Sequence, residues 1–371
     1  MHFFTFATED TVLYEASESR NFGLDEVLEI RKDVDDAGVS VNVSRALVKF
    51  DLTAMSSSVS DAGAGASAKY YLNLYDAGSE ALTTSQTLYA YPVSQSWVMG
   101  RGKKAYSPAT TEGVSWAYRT GQNEETFWLG SVKDTGGTWH SGSQYEASQS
   151  FIHTDTELDM RMDVTDIVNK WLDGTISNNG FMVKRSGSIG NDDVDLDEGS
   201  STQLGNFKFF SRDTHTIYSP RLEAVWDSSV WSTGSLSALD AREIEDLQIY
   251  SPNLKSKYTT NFDSKLRIVG RPNFPVLSNA PSASAYTSVK YLPSGSEYSI
   301  IDNYTEDVIV PYGTGSRLSC DSRGNYIDLN TSGLQTQREY KLLIKVISGS
   351  YVGSSGTDTE VIDNNFTFFI K

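Results

Sequence analysis

Apolar and polar residues alternate in short runs along most of the chain: Thr11-Val12-Leu13-Tyr14, Val27-Leu28-Glu29-Ile30, Arg45-Ala46-Leu47-Val48-Lys49-Phe50, Tyr70-Tyr71-Leu72-Asn73-Leu74-Tyr75 and Thr87-Leu88-Tyr89-Ala90-Tyr91-Pro92-Val93. A two-residue period puts alternate side chains on opposite faces of a strand. Gly, Asp, Asn or Ser bounds each run, so the pattern predicts half-buried antiparallel strands. One stretch breaks the alternation. From Asp163 to Gly174 the apolar residues Ile167, Val168, Trp171 and Leu172 share one helical face, with Asp163 or Thr165 to cap the start and Gly174 to end it. That helix is expected to plug one end of a sandwich. Strands resume at 180–184, 207–211 and 221–226.

Residues 227–239 are Ser-rich and aperiodic, which marks a boundary. Beyond it, strands are predicted at 265–269, 297–301, 307–310, 340–346 and 365–370. The turn Asp321-Ser322-Arg323-Gly324 reads as a hairpin loop with Gly324 in a left-handed conformation. The chain is thus expected to be all-β with two tandem domains: a jelly-roll-like sandwich with one short helix over 1–227, a linker over 228–255, and an immunoglobulin-like sandwich over 256–371. No repeat of fixed period appears, which argues against a β-helix or a propeller.

Composition agrees with this reading. The 371 residues include 20 Tyr, 16 Phe and 29 Gly, suited to many short strands joined by tight turns. Cys320 is the single cysteine, so no intrachain disulfide forms and folding in a reducing cytoplasm is expected. His2-Phe3-Phe4-Thr5-Phe6 is too short and too quickly followed by Glu9-Asp10 to read as a signal peptide. The net charge of −17 is uneven, because residues 1–227 carry 18 Lys+Arg against 33 Asp+Glu and residues 228–371 carry 13 against 15. This disfavours nucleic acid and membrane partners, and leaves the nearly neutral C-terminal part as the better candidate for docking against other subunits.

Little in the chain points to catalysis, and the expectation is that it is not an enzyme. His2, His140, His153 and His215 have no metal-ligand spacing, and no G-x-S-x-G motif is present. Gly100-Arg101-Gly102-Lys103-Lys104 resembles a phosphate loop only faintly, since Trp97 stands where the first Gly is required. Two features could bind a ligand. Asp192, Asp193, Asp195 and Asp197 form an acidic run that is either a solvated loop or a calcium site, calcium being the one cofactor considered. Trp97, Trp116, Trp128 and Trp139 fall in a Gly/Ser/Thr-rich stretch from about 94 to 150, where they either stack sugars on open loops or bury as satellite packing.

In order along the chain, Asn21-Phe22-Gly23, the strand Ser44 to Leu52, Leu72-Asn73-Leu74-Tyr75, Ser96-Trp97, Gly113-Val114-Ser115-Trp116, the segment Met162 to Trp171 and Ser219-Pro220-Arg221-Leu222 resemble the DNRLRE family of β-sandwich domains over residues 8–227. The resemblance implies that the Arg45-to-Phe50 strand and the helix are structural, and that Trp97 and Trp116 are sugar-stacking candidates, as some relatives bind carbohydrate. The whole arrangement is similar to virion structural proteins of marine tailed bacteriophages. That similarity implies a non-catalytic virion protein at the neck, tail or capsid surface, assembled in the host cytoplasm with other virion proteins and copies of itself. The alternative is a carbohydrate-binding adhesin for host surface glycans, and a third, weaker reading is a polysaccharide-degrading enzyme.

Overall fold

The computed structural model describes residues 1–129, 136–187, 198–239, 241–244, 247–273, 289–347 and 359–371. The acidic residues Asp192, Asp193, Asp195 and Asp197 lie outside these. The chain divides into two compact units, one of Phe4–Ser57 and Lys69–Ala224, the other of Met1–Phe3, Ser58–Ala68 and Val225–Lys371.

The first unit is built from β1 (His2–Tyr14), β2 (Val27–Val34), β3 (Ser40–Val41), β4 (Ser44–Phe50), β5 (Lys69–Leu74), β6 (Gln86–Pro92), β7 (Ala147–Phe151), β8 (Met160–Asp163), β9 (Phe181–Lys184), β10 (Gly205–Phe210) and β11 (Arg221–Val225). Eight of these form one sheet in the order β7-β6-β9-β4-β1-β11-β5-β8, and β10-β2-β3 form a second. Ser44 ties the two together, its hydroxyl accepting from Arg31 N and donating to Glu29 O, both at 2.8 Å. The end strands β7 and β8 are joined by the Gln149 side chain. Its Oε1 accepts from Arg161 N at 2.8 Å and its Nε2 donates to Asp159 O at 3.2 Å. A side-chain amide therefore supplies the donor and the acceptor of a missing strand, and the sheet edge is not left bare.

The predicted helix is present as Thr165–Leu172, here α2, since an unforeseen helix α1 (Thr53–Asp61) precedes it. Ile167, Val168 and Trp171 are buried, with the Trp171 ring 4.5 Å from that of Phe181. Val164 occupies the N-cap position and has no side-chain cap bond, while the Asp163 carboxylate accepts from Thr165 N at 3.0 Å. Gly174 follows at φ +77°, the left-handed exit that its lack of a Cβ allows.

The second unit contains β12 (Ser237–Ala238), β13 (Leu247–Tyr250), β14 (Lys257–Tyr258), β15 (Asp263–Pro272), β16 (Lys290–Tyr291), β17 (Glu297–Asp302), β18 (Val308–Val310), β19 (Ser319–Asp321), β20 (Gly324–Asn330), β21 (Arg338–Ile347) and β22 (Thr359–Ile370), with α3 at Ala241–Ile244. One sheet runs β12-β16-β15-β20-β19 with β13 also paired to β15, and the other β14-β22-β21-β17-β18. The stretch 228–255, expected as a linker, contributes β12 and β13 to the first of these sheets; strands of two and four residues leave too short a period to read. The β19–β20 turn is as expected. Asp321 pairs with Gly324 across Ser322-Arg323, and Gly324 sits at φ +107°. The protein is all-β, with its short helices set between strands. Among the described residues no helix is long and apolar enough to cross a membrane.

Candidate functional site

The four tryptophans do not make an open platform. Trp97, Trp116 and Trp128 are 4 %, 2 % and 0 % exposed and join Leu13, Val43, Leu47, Val93, Val114 and Met182 in one core cluster. Indole N–H groups need acceptors when buried. Trp97 donates to Asn179 O at 2.7 Å and Trp128 to Ser115 O at 3.0 Å. Buried in this cluster, the three rings have almost no surface left to offer a sugar. Trp139 is only partly buried, packed against the same cluster.

What the tryptophans hold instead is a buried cation. Arg45, on β4, lies with its guanidinium carbon 4.7 Å from the Trp116 ring centroid and 5.1 Å from that of Trp139. It pairs with Glu198 at 2.6 Å and donates to Gly136 O at 2.7 Å. Lys184, on β9, stands 3.4 Å from the same carboxylate and 4.8 Å from the Trp139 ring. Arg185 beside it is wholly buried, bonded to Gln86 Oε1, Ile30 O and Gly205 O, and burial pulls its pKa down to about 10. These groups are structural. Charges removed from water persist only when paired and hydrogen-bonded, as they are here.

Gly100 and Gly102 likewise belong to the frame and not to a phosphate loop. Buried Asn21 donates to Met99 O and Val114 O, both at 2.7 Å, and its Oδ1 accepts from Gly102 N at 2.7 Å. A Cβ on Gly102 would meet Asn21 O at 2.0 Å, so only glycine permits that approach. Among the described residues no group of three or more His, Cys, Asp or Glu could hold a metal ion.

One open feature of the first unit is a cleft of about 210 Å³ lined by Tyr14, Ala16, Ser17, Arg20, Phe22, Arg31, Asn42 and Lys104. Tyr14 ends β1 and forms its aromatic wall, held edge-on by buried Phe22 with ring centroids 4.5 Å apart. Burial, reinforced by Glu29 and Asp25, pushes the Tyr14 phenol upward, so it stays neutral and hydrogen-bonding. Arg31 projects from β2 and pairs with Asp33 at 2.5 Å, and Asn42, exposed at φ +56°, reaches the same carboxylate at 3.4 Å. Arg20 lies 5.3 Å from the Phe22 ring centroid and donates through one terminal nitrogen to the carbonyls of Lys103, Lys104 and Tyr106 at 3.1, 2.5 and 3.2 Å. Its Nε is buried without an acceptor. Lys104 closes the rim, 3.2 Å from Glu29 Oε1.

One comparison bears on this geometry. Residues 3–102 match the family model of carbohydrate-binding module family 96. That stretch holds every lining residue of the cleft except Lys104, two positions past its end. The matched family is one of binding modules and not of enzymes, which favours the glycan-binding alternative over the virion assembly role. No curated protein matches the chain.

Almost nothing local in the sequence marks the cleft. Tyr14, Arg20, Arg31, Asn42 and Lys104 carry no motif and span ninety positions, so only the fold assembles them. The one local signal was Lys103-Lys104, two adjacent cations in an acidic region.

Proposed function

We propose that the chain is a non-catalytic glycan-binding protein whose cleft at Tyr14 takes a sugar unit bearing a carboxylate or sulfate. The observation that carries this reading is the set of three cationic side chains, Arg20, Arg31 and Lys104, around one aromatic wall, inside or next to the stretch matched by a carbohydrate-binding family. Pyranose rings pack their apolar faces on aromatic rings, and guanidinium forks match carboxylate and sulfate oxygens. Arg20 forms no ion pair among the described residues, so its positive charge is left without a carboxylate partner beside the cleft.

The test is titration of the intact chain with acidic oligosaccharides, beside Arg31→Gln. That variant removes a half-exposed cation and its pair with buried Asp33, and loss of affinity in a protein that still unfolds cooperatively supports the reading.

A further inference from the structure

Lys104 is the cation of its segment that stands over the Tyr14 ring. The segment around it rests on the body through its backbone: Gly102 N donates to Asn21 Oδ1 at 2.7 Å, Lys104 N to Asp25 Oδ1 at 2.8 Å, and Asn21 N to Thr110 O at 2.8 Å, besides the three carbonyls that Arg20 holds. Anchored this way, the strap turns Arg101, Ala105 and Tyr106 to solvent, Tyr106 being 46 % exposed. The Lys104 side chain, itself 59 % exposed, reaches back along the rim of the cleft. Its Nζ stands 5.4 Å from the Tyr14 ring centroid and 3.2 Å from Glu29 Oε1.

The ammonium therefore occupies the aromatic face on which a sugar would stack. We propose that Lys104 is a charge-selective gate over Tyr14, holding off neutral sugars and yielding to glycans whose anionic group replaces Glu29 as partner of the ammonium. The inference rests on the glycan reading above. A neutral sugar has to displace the ammonium from ring and carboxylate and offers nothing of equal charge in return. An acidic sugar gives back an ion pair as it takes the ring. The ammonium is the open end of the pair, its side chain being 59 % exposed against 13 % for Glu29, so a competitor that supplies an ion pair in return can draw it away. The backbone anchors fix the Lys104 Cα while its four-carbon stem lets the charge swing aside.

The experiment titrates the intact chain with matched pairs: oligogalacturonates and their methyl esters, and sulfated dextran oligomers and the unsulfated parent. The wild type is expected to prefer the charged member by about tenfold or more, and Lys104→Ala to narrow that ratio from both sides, binding the neutral member better and the charged one worse. Glu29→Gln, which removes the competing carboxylate, is expected to strengthen binding of the charged member several-fold, a gain that partial unfolding cannot produce. Equal losses for both members in Lys104→Ala, or weaker charged-ligand binding in Glu29→Gln, overturn the gate while the glycan reading stands. A wild type that binds no member of any pair overturns the glycan reading and the gate with it.

Discussion

The Arg45 guanidinium and the Glu198 carboxylate meet at 2.6 Å with both side chains almost fully buried, between the rings of Trp116 and Trp139. The tryptophan-rich region thus serves to house a charge and not to display aromatic faces. Glu198→Gln removes the carboxylate charge shared by Arg45 and Lys184, and breaking a buried pair costs about 3 kcal/mol or more. Urea unfolding is expected to register that loss, and a change below about 0.5 kcal/mol, the size typical of neutral surface substitutions, contradicts the arrangement.

Trp97→Ala and Trp128→Ala should act on stability and not selectively on ligand binding. Each deletes a large ring from a packed cluster, with an expected cost of about 3–5 kcal/mol by denaturant unfolding. A normally stable Trp97→Ala protein that loses glycan binding would show that the ring is a contact surface after all.

Asp10 gives a pH signature. It is 1 % exposed, and burial raises its carboxyl to about 7 although Arg212 N donates to it at 2.6 Å. Because the folded pKa lies above the ordinary 3.8, the unfolded chain ionises first. The stability contributed by the neutral group is full below about pH 4 and lost as pH rises to about 7. Asp10→Asn keeps the acceptor and removes the titration, so it should stabilise the protein at pH 8 relative to the wild type by up to about 4 kcal/mol while matching it near pH 4. Parallel stability curves for the two proteins from pH 4 to 8 would contradict this.

Asn21 links the core to the segment that carries Lys104. Asn21→Ala leaves the Met99 and Val114 carbonyls and the Gly102 amide without their partner, at a cost of about 1–3 kcal/mol for each group left buried and unsatisfied. Limited proteolysis should then cut the variant within 101–110 sooner than the wild type. Unchanged protection of that segment would show that Asn21 is not its anchor.

Much of the fold is legible in the chain because strand alternation and helical spacing are local. Arg45 to Phe50 and Thr165 to Leu172 can be read wherever they occur, and the Asp321–Gly324 turn needs only its own four residues. Helix α1 is harder to see, since Thr53-Ala54-Met55-Ser56-Ser57-Ser58 is Ser-rich and resembles a loop. The tryptophans mislead for a related reason: composition gives their surroundings as Gly- and Ser-rich, whereas burial depends on Leu13, Leu47 and Met182 from distant strands. The cleft is the least legible part. Tyr14 and Lys104 meet only because the glycines at 100 and 102 let the strap settle against Asn21.

Calorimetric titration of the intact wild-type chain with acidic oligosaccharides, beside Tyr14→Ala and Arg31→Gln, reads out whether the Tyr14 cleft binds an acidic glycan. The expected result is saturable binding by the wild type, weakened about tenfold or more in each variant, with Arg31→Gln still unfolding in one cooperative transition. Affinity unchanged in both variants, or no binding by the wild type, would contradict it.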